Sequence, residues 1–199
     1  MTAILQIDDV DVFDSIAPDD LWCVDKLILS KKLGYVCGPA GVVPPPGKYI
    51  VRPIMNLRMM SVGARIQCLD SDSIPDGYFW CELFAGRHLS FDYHWGKQTL
   101  AVEGFRTDPT RLDRFSHWTR IDQDFKLPEI LQTVADRYEW FNVEVIGNRV
   151  IEVHFRYNDD FANHDATTII PVWSDEFYHS PAGDRIGFIL KDKKEPHDR

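Results

Sequence analysis

Four cysteines, Cys23, Cys37, Cys68 and Cys81, are all the sequence has, and no two of them stand in a Cys-x-x-Cys spacing. A thiolate zinc site is therefore not expected. No run approaches the roughly 20 apolar residues of a membrane span. The start of the chain, residues 1–15, carries acid where a secretory leader needs a positive end and an apolar run. These absences lead to the expectation of a cytoplasmic protein with free, mostly buried thiols and no membrane contact. Cations are also in deficit: 22 Lys and Arg face 31 Asp and Glu, a net charge of -9. That balance argues against broad binding to a nucleic-acid backbone, which needs clustered cations to release counterions. The sequence has no Gly-x-Ser-x-Gly elbow, no His-Glu-x-x-His and no Walker A loop, and no internal repeat or low-complexity segment.

What is present suits a folded chain. In 199 residues, 44% are hydrophobic, 27% charged and 13% aromatic, which excludes disordered, collagen-like and coiled-coil classes and permits one domain or two small subdomains sharing a core. The first 17 residues read as a short strand or irregular arm. Pro18-Asp19-Asp20 is a helix-start signal, and apolar spacings of three and four predict a helix over 19–33, stopped by Gly34. The Gly- and Pro-rich stretch 37–47 reads as a connector. Strands are expected at 48–53, 64–69, 78–84, 88–95, 99–105, 141–146, 149–156 and 167–172, and a helix at 128–139 with Pro128 in its first turn. Gly147-Asn148 marks a tight hairpin turn. From Lys191 the chain reads as a charged, frayed tail. Hairpins with a few helices between them make an α+β protein.

The hairpin 141–156 holds the most chemistry. Alternation along a strand puts Glu152, His154 and Arg156 on one face and turns Ile151, Val153 and Phe155 to the core. Glu144 on the first strand lies across from or diagonal to Glu152, so two carboxylates meet. Like charges at that distance need a cation or proton between them, and hard oxygen ligands suit Mg2+ shared with substrate phosphates.

Here the sequence resembles the ATP-grasp superfamily. Val143-Glu144-Val145 followed by Glu152-Val-His154-Phe-Arg156 is similar to that family's metal-binding end, in which a carboxylate strand pairs with one reading Glu-x-Asn-x-Arg. The resemblance implies Mg2+ at Glu144, Glu152 and His154, the last standing where the family has Asn, and Arg156 on the phosphates or an acyl-phosphate. Trp80-Cys-Glu82-Leu83-Phe84-Ala-Gly-Arg-His88 resembles the hinge, so Glu82, Leu83 and Phe84 would border adenine and His88 would take the ribose position. Arg52, in Tyr49-Ile-Val-Arg52-Pro53, replaces the family's phosphate-reaching Lys, and Lys26 is similar to an earlier nucleotide-contacting Lys. Residues 56–63 stand at the place of the glycine-rich lid.

The resemblance covers roughly residues 20–160. It implies an N-terminal arm at 1–20, one subdomain with a lid loop at 21–79, a second with the metal hairpin at 80–190, and a tail at 191–199. The two α+β subdomains, each with an antiparallel sheet, would enclose a nucleotide cleft. The implied activity is an ATP- and Mg2+-dependent ligase, joining a small-molecule or peptide-like carboxylate to an amine through an acyl-phosphate, with Arg52 and Arg156 as catalytic cations. Most of the family's separate N-terminal domain has no counterpart here, so a protein partner supplying it is a further expectation.

Two rival readings use the same residues. One is a non-catalytic nucleotide-binding or protein-interaction module that kept the fold; the other is a metal-dependent hydrolase or nuclease. Among the remaining polar residues, Asp92 and His94 read as a solvated strand face. Arg106, Arg111, Arg114 and Arg120, interleaved with Phe105, Phe115 and Trp118, read as a loop with core aromatics or as an anion-recognising cluster. Asn158-Asp159-Asp160 and Asn163-His164-Asp165 read as turn chemistry.

Overall fold

The computed structural model describes residues 9–55, 63–70, 74–162, 164–174 and 185–192. Among them two antiparallel sheets carry an α+β architecture, with three short helices around them. The expected lid at 56–63 lies outside the described residues except for Gly63, as do Asn163 and the tail 193–199.

Of the segment expected as a strand or arm, the described residues open with a helix, α1 (Asp9–Phe13), whose acidic residues Asp9 and Asp11 sit in its first turn, where the helix dipole favours them. The single helix expected over 19–33 is split. Pro18–Cys23 forms a 3-10 turn, and α2 spans Lys26–Lys32. Asp25 makes the break: its backbone is extended and its carboxylate accepts the Ile28 N–H at 2.8 Å, an N-cap that starts a new helix. That cap fixes Lys26 as the first residue of α2, facing inward and 4% exposed. Gly34 ends the segment at φ +77°, as a C-terminal glycine does.

The smaller sheet has the order β1-β4-β2-β3, from β1 (Cys37–Pro39), β2 (Gly47–Pro53), β3 (Arg65–Leu69) and β4 (Tyr78–Glu82). β1 lies inside the stretch expected to be only a connector; it is an edge strand, where Pro39 needs no ladder N–H. Alternation gives the sheet two faces. Tyr49, Val51, Leu69 and Trp80 pack on one side. Ile50, Phe79, Cys81 and Cys37 pack on the other with Leu27 of α2. All four cysteines are free.

The larger sheet runs β11-β10-β7-β6-β5-β8-β9. Its strands are β5 (His88–His94), β6 (Lys97–Phe105), β7 (His117–Arg120), β8 (Trp140–Ile146), β9 (Arg149–His154), β10 (Thr168–Trp173) and β11 (Arg185–Lys191). β7 and β11 were not expected: β7 hides among the arginines, and β11 includes Lys191, the first residue of the expected tail. α3 (Glu129–Ala135) is shorter than the expected 128–139. Its Leu131, Val134 and Ala135 join Leu89, Phe91, Tyr93, Phe141, Val143, Val145, Val150 and Val153 in the main core.

The hairpin β8–β9 contains a bulge. Glu144 pairs with Glu152 but Val145 pairs with Val150, leaving Ile151 as the extra residue. A bulge re-aims side chains: Val150 enters the core, and Ile151, expected there, lines a cavity instead.

The two sheets are joined by residues 83–87, and this turn abuts the hairpin turn at 147. Gly147 N–H donates to Arg87 O at 2.9 Å. A Cβ on Gly86, which lies at φ +131°, would sit 2.7 Å from Gly147 Cα. Gly86→Ala is expected to lower the unfolding free energy by about 2 kcal/mol, because that backbone region is open essentially to glycine alone. Urea denaturation of the variant measures it; an unchanged midpoint would show that the two turns are not in close contact. No described helix is long and apolar enough to cross a membrane.

Candidate functional site

Strand pairing assembles one polar face from three strands of the larger sheet. β5 contributes His88, Ser90 and Asp92; opposite Ser90 and Asp92 on β8 stand Glu144 and Asn142, and opposite these on β9 stand Glu152 and His154. His88, Ser90, Asp92, Asn142, Glu152 and His154 are all buried. Buried polar groups cost free energy unless partnered, and this lattice is densely partnered. Asn142 Nδ2 donates to Ser90 Oγ at 2.8 Å and to Asp92 Oδ1 at 2.7 Å, and Asn158 N–H donates to Asp92. The expected solvated strand face at Asp92 is thus an interior one.

Glu144 and Glu152 are direct cross-strand partners, so the two carboxylates do meet. Each has a basic neighbour from a different element. Lys26 Nζ lies 3.4 Å from Glu152 Oε1, both side chains under a tenth exposed. Burial pushes the Lys26 ammonium down, and Glu152 pushes it back up. Glu144 Oε2 is 3.0 Å from His88 Nε2. Arg106 Nη2 donates to His88 Nδ1 at 3.2 Å, which leaves the His88 proton on Nε2, facing Glu144. Burial pushes the Glu144 carboxyl up, but the His88 hydrogen bond and the charges of His154 and Lys26 outweigh it, and the carboxyl is lowered.

A third carboxylate arrives from outside the sheet. Asp9 of α1 lies 2.9 Å from His154 Nδ1 with both oxygens and accepts from Arg156 Nε at 2.9 Å. His154 Nε2 is 3.7 Å from Glu152 Oε1. Burial pushes the His154 imidazole down, but the Asp9 charge and hydrogen bond raise it above the ordinary value.

Beside this face opens a cavity of about 320 Å3 whose lining includes Arg52, Glu82, Leu83, Phe84 and His88. The small-sheet wall adds Ile50, Ala64, Ile66 and Cys81; the large-sheet side adds Arg106, Ile146 and Ile151. Arg52 Nη2 donates to Ile151 O at 2.7 Å and its guanidinium lies 5.2 Å from the Phe79 ring centre. Arg106 is held by Leu112 O and stacks 3.9 Å from the Phe115 ring centre. Burial pushes both guanidinium groups down from their ordinary value. Arg52 Nε and Arg106 Nε are buried without a hydrogen-bond partner, and an interior N–H of this kind suits an incoming anion. Glu82 is engaged at home: its Oε1 accepts from Val36 N–H and its own N–H donates to Val36 O.

The candidate residues therefore fall into two touching groups. Arg52, Glu82, Leu83, Phe84 and His88 share the cavity. Lys26, Glu144, Glu152, His154 and Arg156 form the polar face beside it, joined to the cavity through the His88–Glu144 contact. The arginine cluster disperses: Arg106 faces the cavity, Arg111 pairs with Asp113 at the surface, Arg114 lies over Trp173, and Arg120 donates to the carbonyls of Phe161, His164 and Ala166. Asn158 caps the 3-10 turn Asp159–Phe161, the expected turn chemistry. Asp9, Asn142 and the buried role of Asp92 went unforeseen. Asn142 carried a signal, since it alternates with Phe141 and Val143 just as Glu144 does; Asp9, one of several acidic residues in an arm, carried none.

Among the described residues no group of three or more His, Cys, Asp and Glu side chains could hold a metal by itself. Two carboxylates on paired strands still fit Mg2+, which commonly takes one or two carboxylates and completes its shell with water and phosphate oxygens. The unpartnered guanidinium N–H groups fit those phosphates.

No protein-family model matches the chain, and no curated protein matches it in sequence. Solved structures do match in shape. An ATP-grasp superfamily protein from Archaeoglobus fulgidus aligns at a TM-score of 0.50 and 18% identity, over 86% of this chain and 65% of that one. A D-alanine–D-alanine ligase from Bacillus anthracis aligns at 0.41 and 16%, over 67% and 57%. An L-amino acid ligase from Bacillus licheniformis aligns at 0.44 and 13%, over 67% and 40%. The chain thus spans less than two thirds of the length of each. With its two antiparallel sheets meeting at a cavity and its likeness to the Archaeoglobus structure, the chain has the ATP-grasp fold.

Proposed function

We propose that the chain is an ATP-dependent ligase that activates a carboxylate as an acyl-phosphate for attack by an amine, with the nucleotide between the halves at 21–79 and 80–190. The observation that carries this reading is the convergence of Arg52, Glu82, Leu83, Phe84 and His88 on one cavity in a chain of this fold. Adenine would lie against Leu83 and Phe84, because the Glu82 carboxylate and N–H are taken by Val36. The ribose would lie toward His88. Arg52 and Arg106 would turn their unpartnered Nε atoms to the phosphates, and Lys26 would add a third cation.

Mg2+, when bound, would neutralise phosphate charge, held by Glu144 and Glu152. His154, with Nδ1 toward Asp9 and Nε2 3.7 Å from Glu152 Oε1, would stand beside them as the third group of that site. Arg52 and Arg156 would stabilise the charge that spreads over the transferring phosphoryl group, which is where most of the rate in phosphoryl transfer arises. The acceptors would be small-molecule or peptide-like carboxylates and amines.

Calorimetric titration with the non-hydrolysable analogue AMP-PNP, with and without Mg2+, tests the reading. Mg2+-dependent binding is expected, raising apparent stability by roughly 2.7 kcal/mol at a hundredfold excess over Kd. Glu144→Gln, which keeps the shape and removes the charge, is expected to weaken the Mg2+-dependent binding by roughly tenfold or more. No binding at millimolar nucleotide would overturn the proposal.

One observation favours a non-catalytic nucleotide-binding module. Glu144, Glu152, His154 and Arg156 already have partners inside the chain. AMP-PNP binding with no phosphate released from ATP, across a panel of carboxylate and amine substrates, would favour that reading.

A further inference from the structure

We infer that Asp9 is a built-in competitor for the nucleotide's phosphoryl end, occupying from α1 the cationic seat made by His154 and Arg156. The inference rests on the nucleotide reading above. The carboxylate of Asp9 makes the contacts an oxyanion would make: two oxygens at 2.9 Å from His154 Nδ1, and one of them at 2.9 Å from Arg156 Nε. A planar guanidinium and an imidazole N–H side by side recognise oxyanions generally, whether carboxylate or phosphoryl.

Asp9 differs from the other two carboxylates in how it is held. Glu144 and Glu152 are fixed in paired strands. Asp9 stands on a five-residue helix, too short to be stable alone. Val12 packs against the core while Phe13 is 40% exposed, and the ion pairs of Asp9 add a polar hold on α1. A phosphoryl group brings a charge of about -2 and three acceptor oxygens, against the single charge of a carboxylate. It would displace Asp9, and α1 would detach when the nucleotide enters. Until then Asp9 supplies the anion for the Arg156 guanidinium, whose side chain is only 15% exposed.

Full-length protein titrated with AMP-PNP and Mg2+ by calorimetry, together with hydrogen exchange at residues 11–16, tests this. Asp9→Asn is expected to bind roughly tenfold tighter than the parent, and Asp9→Glu, which keeps the charge, to bind like the parent. Val12→Ala loosens α1 without touching the charge and is expected to tighten binding too, so it decides the matter if Asp9→Asn does not fold. Nucleotide is expected to speed exchange at 11–16 in the parent. Unchanged or weaker binding by both Asp9→Asn and Val12→Ala, or slower exchange at 11–16, would make Asp9 a structural strut and overturn the inference alone. Absence of binding by every protein would overturn the nucleotide reading and this inference with it.

Discussion

Glu152→Leu is expected to lower the unfolding free energy by about 3–5 kcal/mol, the range for removing one partner of a buried ion pair. Lys26 and Glu152 are both nearly inaccessible, and Glu152 also offsets the charges on Arg52 and His154. Leucine in its place removes the carboxylate paired with Lys26 while the charge of Arg52 stays beside it. Adding Lys26→Met to Glu152→Leu is expected to restore most of the loss, because an apolar pair of similar volume can replace a buried ion pair at little or no cost. A double-mutant cycle by urea denaturation at pH 7 reads this directly. Strict additivity of the two substitutions would show that Lys26 and Glu152 do not interact in solution. The magnitude also bears on function, since loss of nucleotide binding by a Glu152 variant would mix instability with lost chemistry. Glu144, a quarter exposed and paired with His88 at the cavity edge, gives the cleaner functional test.

The hairpin β8–β9 was legible because its pattern is local. Polar and apolar residues alternate from Phe141 to Glu144 and from Glu152 to Phe155, and a Gly-Asn pair sits between the strands. The bulge was not legible: no residue near Ile151 announces that it leaves the ladder, and only the pairing of Val145 with Val150 reveals it. The break between the 3-10 turn and α2 had a visible cause in Asp25, but apolar periodicity runs unbroken across it from Leu21 to Leu29, and periodicity was the stronger signal. β7 and β11 were obscured in different ways. The first is four residues long and ends on Arg120, which ties the Ala166 carbonyl; the second, among the described residues, pairs with β10 alone, a pairing that sequence alone does not name.

The site divides along the same line. Arg52, Glu82, Leu83, Phe84 and His88 were identifiable as a set because each lies in a motif with an order along the chain, and they share one cavity. The contact of Asp9 with His154 and Arg156 spans 145 residues or more of sequence and has no local signature. Such contacts depend on where an arm lands, which is settled by packing and not by pattern.

Asp92 is expected to make the protein's stability fall as pH rises from 4 to 7, contrary to the usual behaviour of a carboxylate. It is 4% exposed. Burial pushes its carboxyl from 3.8 up to about 6, and the hydrogen bonds from Asn158 and Asn142 and the charges of Arg156 and His154 bring back only part of that rise. The folded state therefore holds this proton more tightly than the unfolded chain does. The stabilisation is complete below pH 3.8, is lost as pH rises through about 6, and is absent above it. At 1.36 kcal/mol per pH unit, the gap between 3.8 and about 6 corresponds to about 3 kcal/mol. Glu144 works in the opposite sense: its carboxyl is lowered, so its contribution is present above the unfolded value and lost as pH falls. That window runs from 4.5 down to about 2 and overlaps the Asp92 window only near pH 4; the difference between parent and variant isolates Asp92 from the other titrating groups. Asp92→Asn has no proton to exchange in this range and keeps an oxygen to accept the Asn158 N–H. Relative to the parent, it is expected to be less stable near pH 4 and more stable near pH 7, with the difference between the two unfolding free energies changing by about 3 kcal/mol across the window. Urea unfolding at half-unit pH steps measures both curves. Parallel curves would mean that the Asp92 carboxylate is fully compensated when ionised, and that water or a cation reaches the floor of the polar face.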